Sequence, residues 1–350
     1  MKKKEVRNIK TPCLIAEIGL NHCGSLKRAE NLTTLAFENG ADLVKYQYFN
    51  PSFLINEPYY DMVLGSSDSH VIQTLEKLQL NKSDFIDLVK FNDRNNFPWG
   101  TSFFSFEDVD DFFKTDSLIN SKTFSFIKVA SGEITDYPML ESLALYNKNL
   151  NLPVIISCGL STTNEIKRAL SFFHNDAICY LLHCIVEYPI VSDYLNLSRI
   201  KYLSKIFNVV SGFSDHSLTP STSILSLYFG SKIIEKHFTD SRELKEADNA
   251  ISMEPEDFKE ISYFLKNFEK VRGNPKGSLS EKEVKELTYA RKGIYSKDNI
   301  KKDNLINKNC ITTQRPNLGS NDAKLYFQIT NKKAKKDINK GDPINKEDVF

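Results

Sequence analysis

Two histidines, His216 and His237, stand directly after two separate apolar runs. Val209-Val210-Ser211-Gly212-Phe213 breaks into Ser214-Asp215-His216, and Lys232-Ile233-Ile234-Glu235-Lys236-His237 repeats the design about twenty residues on. Between them, Thr219 to Gly230 carries a Pro near its start, apolar residues at helical spacing and a closing Gly, so it reads as a helix joining two parallel strands. Both imidazoles then sit at the same end of adjacent strands, where barrels and open α/β sheets place their chemistry. Such a pair can bind one divalent cation that keeps open positions for water and substrate. Either histidine alone would read as a core or loop residue, and the matched contexts favour the pair.

Lys45 and Lys128 are each embedded in apolar strand residues, DLVKYQ and FIKVAS, where an ammonium is costly unless it meets an anion. One such lysine could snorkel to solvent or form a structural ion pair. Two at one mouth, with Ser131, Ser157 and Ser214 as hydroxyl donors, fit a phosphate or carboxylate pocket better. Glu17 closes the first apolar run as a general base, a metal ligand or a partner for a lysine. Period-two alternation puts Glu235 on the side of His237 and Lys236 on the other, which makes Lys236 structural. His22 either shapes its loop or touches substrate, His183 is a core candidate, and His70 and His174 read as solvated.

The elements that must position these groups follow in order. Strands are expected at 13–19, 42–49, 97–104, 124–131, 153–157, 178–184, 209–213 and 232–235, with helices at 26–40, 82–92, 107–114, 162–173 and 254–268 and an irregular stretch from 50 to 81. Eight strand–helix pairs over about 270 residues make an α/β chain with a (β/α)8 TIM-type barrel over 1–272. Residues 273–290 form a turn-rich linker and connecting helix, and 291–350 a small β-rich domain. Within that tail the pattern INK-x-x-(I/V) occurs twice, 38 residues apart, which suggests pseudo-symmetry. So small a unit needs another surface to pack on.

With 350 residues, 41% hydrophobic and 26% charged, the chain can bury a full core, and a net charge of +1 supplies no field to attract nucleic acid or a membrane surface. No stretch reaches the ~20 apolar residues of a membrane span, and the start lacks a signal-peptide pattern. The six cysteines show no C-x-x-C spacing and read as reduced, small hydrophobes of a cytoplasmic protein.

The segments AEIGLNHCGSL (16–26), GADLVKYQ (40–47), IKVASGEITDYPML (127–140), PVIISCGLST (153–162), LLHCIVEYP (181–189), GFSDHSLTP (212–220) and IIEKHFTDSRELKEADNAISMEP (233–255) resemble the sialic acid (N-acetylneuraminate) synthases and their nonulosonic acid relatives. The tail, with ARKGIYSKDNIKK (290–302), Gln314-Arg315-Pro316 and KKAKKDINKGDPI (332–344), is similar to that family's SAF (antifreeze-like) domain of β-clip type. The resemblance implies condensation of phosphoenolpyruvate with N-acetylmannosamine or a related 2-acetamido sugar. It implies a divalent metal, manganese ahead of magnesium or cobalt, on His216 and His237, and phosphoenolpyruvate on Lys45, Lys128, Ser131, Ser157 and Ser214. Sugar contacts would fall to Gln47, Glu133, Tyr188 and Asp248, with Arg315 and Tyr289 reaching in from the partner chain of a domain-swapped homodimer.

The sequence departs from the family pattern at Ser102-Phe103 for Thr-Pro, at Val186 for Ser or Asn, at Asn317 for Gly and at Asp303 for the Gly of a KKG turn. These changes bear on sugar choice and leave a 2,4-diacetamido-trideoxyhexose, the acceptor of legionaminate- and pseudaminate-type synthases, as the alternative. A 3-deoxy-ulosonate synthase would need an extra basic cluster and no such tail. A non-catalytic carbohydrate-binding protein would gain nothing from a metal site beside an anion pocket.

Overall fold

The computed structural model describes residues 8–56, 71–173, 177–190 and 192–350. The chain divides into two compact units, Met1–Val271 and Arg272–Phe350. His70 and His174 lie outside the described residues, as does part of the stretch expected to be irregular.

In the first unit eight parallel strands close in sequence order: β1 (Cys13–Glu17), β2 (Leu43–Gln47), β3 (Trp99–Ser102), β4 (Phe124–Val129), β5 (Val154–Ser157), β6 (Cys179–Cys184), β7 (Val210–Asp215) and β8 (Ile233–His237), with β8 pairing back on β1. Nearly every strand residue is buried, as a parallel sheet covered on both faces requires. Alternation then sorts the side chains. Val44, Tyr46, Trp99, Ile127, Val154, Ile156 and Ile234 meet the surrounding helices in one large apolar core. Ile15, Leu43, Phe126, Ile155, Leu182 and Ile233 fill the lower half of the barrel interior. Two residues further along β1, β2, β4, β5 and β8 the interior turns polar, at Glu17, Lys45, Lys128, Ser157 and Glu235. Small residues make the closure possible: a Cβ on Gly212 would overlap the Ile233 carbonyl, so that glycine lets β7 approach β8.

Several boundaries differ from expectation. β7 and β8 run on to Asp215 and His237, because their ends keep pairing with each other and with β1. β3 stops at Ser102, and Phe103 turns into the aromatic core against Phe112. The helix after β5 covers only Thr163–Leu170, started by a reciprocal cap between Thr162 and Glu165. The stretch expected to be irregular contains the helices Pro51–Leu54 and Val71–Leu78; the first is one short turn, which carries little periodic signal.

The second unit opens with the helix Glu281–Ala290, capped by Ser280 and Glu283. Two small antiparallel sheets follow, β9 (Gly293–Ser296) with β11 (Ile311–Gln314) and β10 (Leu305–Ile306) with β12 (Lys332–Lys333). The 38-residue repeat takes physical form in their hydrogen bonds. Ile300 and Ile338 exchange both backbone bonds at 2.8 Å, and the bond from Asp303 N–H to the Ala334 carbonyl is mirrored by that from Gly341 N–H to the Ser296 carbonyl. Ile306 and Ile344, one from each copy, sit in the same small core.

Candidate active site

At the C-terminal end of the barrel strands lies a cavity of about 460 Å³. Its floor is a charge cluster assembled by register. Glu17, Lys45 and His237 are neighbours across β8, β1 and β2, and Glu235 is set beside Ser214. Lys45 Nζ lies 2.8 Å from Glu17 Oε2 and donates to Ser102 Oγ at 2.8 Å, while Gln47 Nε2 donates to Glu17 Oε1 at 2.8 Å. Lys128 Nζ donates to Ser157 Oγ and the Val129 carbonyl, both at 2.8 Å, and stands 4.0 Å from Glu235 Oε1, which accepts from Ser214 Oγ at 3.0 Å.

Burial works against both ammonium groups with different outcomes. For Lys45, burial is outweighed by Glu17 and then Glu235, so its pKa stays above the usual lysine range. For Lys128, burial wins over the attraction of Glu235, helped by repulsion from Lys45, and lowers its pKa. Burial also acts on Glu235, but Lys128 and Lys45 hold that carboxyl below its ordinary value. Glu133, on the rim, is raised by burial. The pocket floor thus pairs one firmly held cation with one whose charge is weakly supported, and an incoming anion would stabilise the second.

Above this floor the two imidazoles stand with ring centroids 5.7 Å apart. His216 Nδ1 lies 2.8 Å from the Ile185 carbonyl, an acceptor only, so Nδ1 carries the proton and Nε2 keeps its lone pair. Burial, then the neighbouring His237, pulls the His216 pKa to about 3, so the ring is neutral. His237 Nδ1 is 3.4 Å from Asp248 Oδ2 and has no hydrogen-bond partner. Asp248 is held through its carbonyl by Ser252 Oγ at 2.7 Å, which in turn accepts from the buried Asn21 at 2.8 Å. Among the described residues no group of three or more His, Cys, Asp or Glu side chains converges as a complete cation cage. Two imidazoles, one neutral with its tautomer fixed by a carbonyl and one with an orphaned ring nitrogen, fit a cation whose other positions belong to water and substrate.

Of the expected site residues, Glu17, Lys45, Gln47, Lys128, Ser131 and Glu133 line this cavity, as do Ser157, Tyr188, Ser214, His216, His237 and Asp248. Tyr188 stacks on His216 with centroids 4.0 Å apart, so its ring lies beside the imidazole pair. Arg315 and Tyr289 belong to the second unit, where Arg315 Nε donates to the Ala290 carbonyl at 2.9 Å and Tyr289 is exposed. His22 is not in the cavity wall: it is buried, accepts from Gly24 N–H at 3.2 Å and shapes its loop. His183 is a core residue, bonded to the Leu195 carbonyl and stacked near Phe213. Lys236 is structural, paired with Asp215 at 2.9 Å. Sequence reasoning gave Glu235 a side of its strand but no role, although its alternation with His237 was the available signal. Phe104, expected in β3 but just past its end at Ser102, and Ile251, in the short 3-10 turn Asn249–Ile251, also line the cavity.

The NeuB family model matches residues 32–277. The chain belongs to the NeuB family. Among NeuB relatives, the N,N'-diacetyllegionaminic acid synthase of Campylobacter jejuni is 30% identical over 344 residues, spanning 96% of this chain and 99% of that protein. A pseudaminic acid synthase of Campylobacter jejuni is 28% identical over 341 residues, 96% of each chain. The solved N-acetylneuraminic acid (sialic acid) synthetase of Leptospira borgpetersenii matches with a TM-score of 0.65 and 27% identity, covering 78% of this chain and 89% of that one. The chain is accordingly an enzyme, a transferase of the sialic acid synthase kind. Among the described residues no helix is long and apolar enough to cross a membrane.

Proposed function

We propose that the chain condenses phosphoenolpyruvate with N-acetylmannosamine, or a related 2-acetamido hexose, and water to give N-acetylneuraminate, or a related nonulosonic acid, and phosphate. The observation that carries this reading is the placement of Lys45 and Lys128, both buried, in one cavity with the His216–His237 pair. A divalent cation on those imidazoles, manganese ahead of magnesium or cobalt, would polarise the aldehyde oxygen of the open-chain sugar.

The chain's own groups do the rest. Lys45 and Lys128, with the hydroxyls of Ser131, Ser157 and Ser214, hold the phosphate and carboxylate of phosphoenolpyruvate and offset charge as a C–O bond to phosphate breaks. Glu17, fixed by Lys45 and Gln47, takes a proton from the water that adds at C2. Gln47, Glu133, Tyr188 and Asp248 orient the sugar so that its aldehyde carbon faces C3 of the enol. The tail, read as an SAF domain, brings Arg315 and Tyr289 to the sugar of a partner chain in a domain-swapped homodimer. The described cysteines are all free, in keeping with a cytoplasmic enzyme.

A second reading, a 2,4-diacetamido-trideoxyhexose as acceptor, is favoured by the apolar side chains of Phe104, Val186 and Ile251 in the cavity wall, which suit a deoxy sugar with two acetamido methyls. A non-catalytic carbohydrate-binding role is disfavoured by the buried charge cluster, which costs desolvation with no return in sugar binding. Incubation with phosphoenolpyruvate, Mn²⁺ and a panel of acetamido sugars, followed by phosphate assay and product mass, tests the proposal. Absence of phosphate release with every sugar, and with Mg²⁺ or Co²⁺ in place of Mn²⁺, would remove it.

A further inference from the structure

Asp215 and Lys236 each stand one residue ahead of a site histidine and are register partners on β7 and β8. They are 1% and 2% exposed and do not line the cavity. Their 2.9 Å ion pair lies on the outer wall of the barrel, under the helix Pro220–Tyr228. Its hydrogen bonding is complete. Asp215 Oδ2 accepts from Thr222 Oγ1 and Ser223 Oγ, both at 2.6 Å, and Oδ1 accepts from Ser217 N–H at 2.8 Å. Lys236 Nζ also donates to the Ser217 carbonyl at 2.6 Å and to Ser217 Oγ at 3.1 Å.

A buried ion pair is weak evidence for stability, since an apolar pair of similar volume often does as well. What this pair does that an apolar pair cannot is fix direction: each bond has one length and one angle, and together they tie the two strand ends and the turn after β7 into one piece. The side chains immediately following, on the inner face, are the two imidazoles 5.7 Å apart. We propose that Asp215 and Lys236 are positioning residues that set the separation and orientation of His216 and His237; the cation-binding consequence rests on the proposed function above.

The test uses the full chain with Asp215→Asn and Lys236→Met combined, which removes both charges together and leaves no lone buried ion. The ring Cε1–Hε1 resonances of His216 and His237 are recorded in metal-free protein, Co²⁺ binding is titrated through its visible absorption, and melting temperature is measured alongside. The expected result is displaced ring resonances and a Co²⁺ Kd weakened by about tenfold or more, the usual size for losing an outer support of a metal ligand. Both effects appear well below the melting temperature, and kcat falls more than the KM for phosphoenolpyruvate rises. Ring resonances unchanged from wild type would overturn the inference. If wild type binds no Co²⁺ and shows no turnover, the proposed function fails, while the metal-free resonances still decide the positioning role. Should the double variant not fold, Asp215→Asn combined with Lys236→Gln takes its place, removing both charges while keeping a polar side chain at each position. Displaced resonances there support the inference and unmoved ones overturn it.

Discussion

The two imidazoles and the buried charges beneath them differ in what their removal should do. His216→Ala or His237→Ala is expected to abolish divalent-dependent turnover while leaving the melting temperature within a few degrees, because both rings stand at strand ends and not in the packed core. Activity surviving in chelator with either variant would count against the assigned role. His22 gives a pH prediction of opposite character. Burial, then Arg28, pulls its pKa to about 4, so above the ordinary histidine value of 6.5 neither state carries the proton and the ring contributes nothing to pH dependence. As pH falls from 6.5 to about 4, the unfolded chain takes up a proton that the folded one refuses, and stability drops by up to about 1.4 kcal/mol per pH unit before levelling off. His22→Asn, whose amide oxygen can still accept from Gly24 N–H, should flatten that slope in urea titrations run from pH 7 to 4. An unchanged slope would show that other groups set it.

At the level of elements, period-two burial explains both what was readable and what was not. Lys45, Lys128 and Glu17 stood out because each is a charge inside an apolar run, and their strands were found within a few residues. The ends of β7 and β8 were placed short, since Ser214-Asp215 and Lys236-His237 look polar and only pairing with neighbouring strands keeps them extended. The tail offers a backbone test of its repeat. Asp303 and Gly341 occupy equivalent places in the two copies, with φ of 64° and 91°. A Cβ on Gly341 would meet nothing within 4 Å, so Gly341→Ala isolates the cost of a left-handed conformation, about 1 kcal/mol. Asp303→Gly should recover up to about 1 kcal/mol, as the aspartate tolerates that region only in part. Amide exchange at Ile300 and Ile338, which bond to each other across the repeat, should speed up roughly fivefold in the first variant and slow in the second. Equal rates in all three proteins would mean that these turns do not limit opening.

For the whole molecule, the expectation concerns the second unit's share in the reaction. Under the proposed homodimer, Arg315→Ala should raise the sugar KM at least ~10-fold while that for phosphoenolpyruvate stays within about twofold, since charged contacts of this kind are worth on the order of 1.5–3 kcal/mol. Steady-state kinetics with each substrate varied in turn checks it, and equal effects on both would take Arg315 out of the sugar site. Light scattering that gives the mass of a single chain would remove the partner-chain contribution altogether.

Residue types and spacing by themselves determined that the first unit is an eight-stranded barrel and that charged side chains gather at its C-terminal rim, because strand alternation and apolar runs are local properties of the chain. They also marked His216 and His237 as a pair and Lys236 as structural. Tertiary structure alone decided that Glu235 stands 4.0 Å from Lys128, that Tyr188 stacks on one imidazole, and that His22 bonds to Gly24 and stays out of the cavity lining. Those outcomes depend on strand register and loop path around a closed sheet, and distances across a barrel are set by all eight strands together.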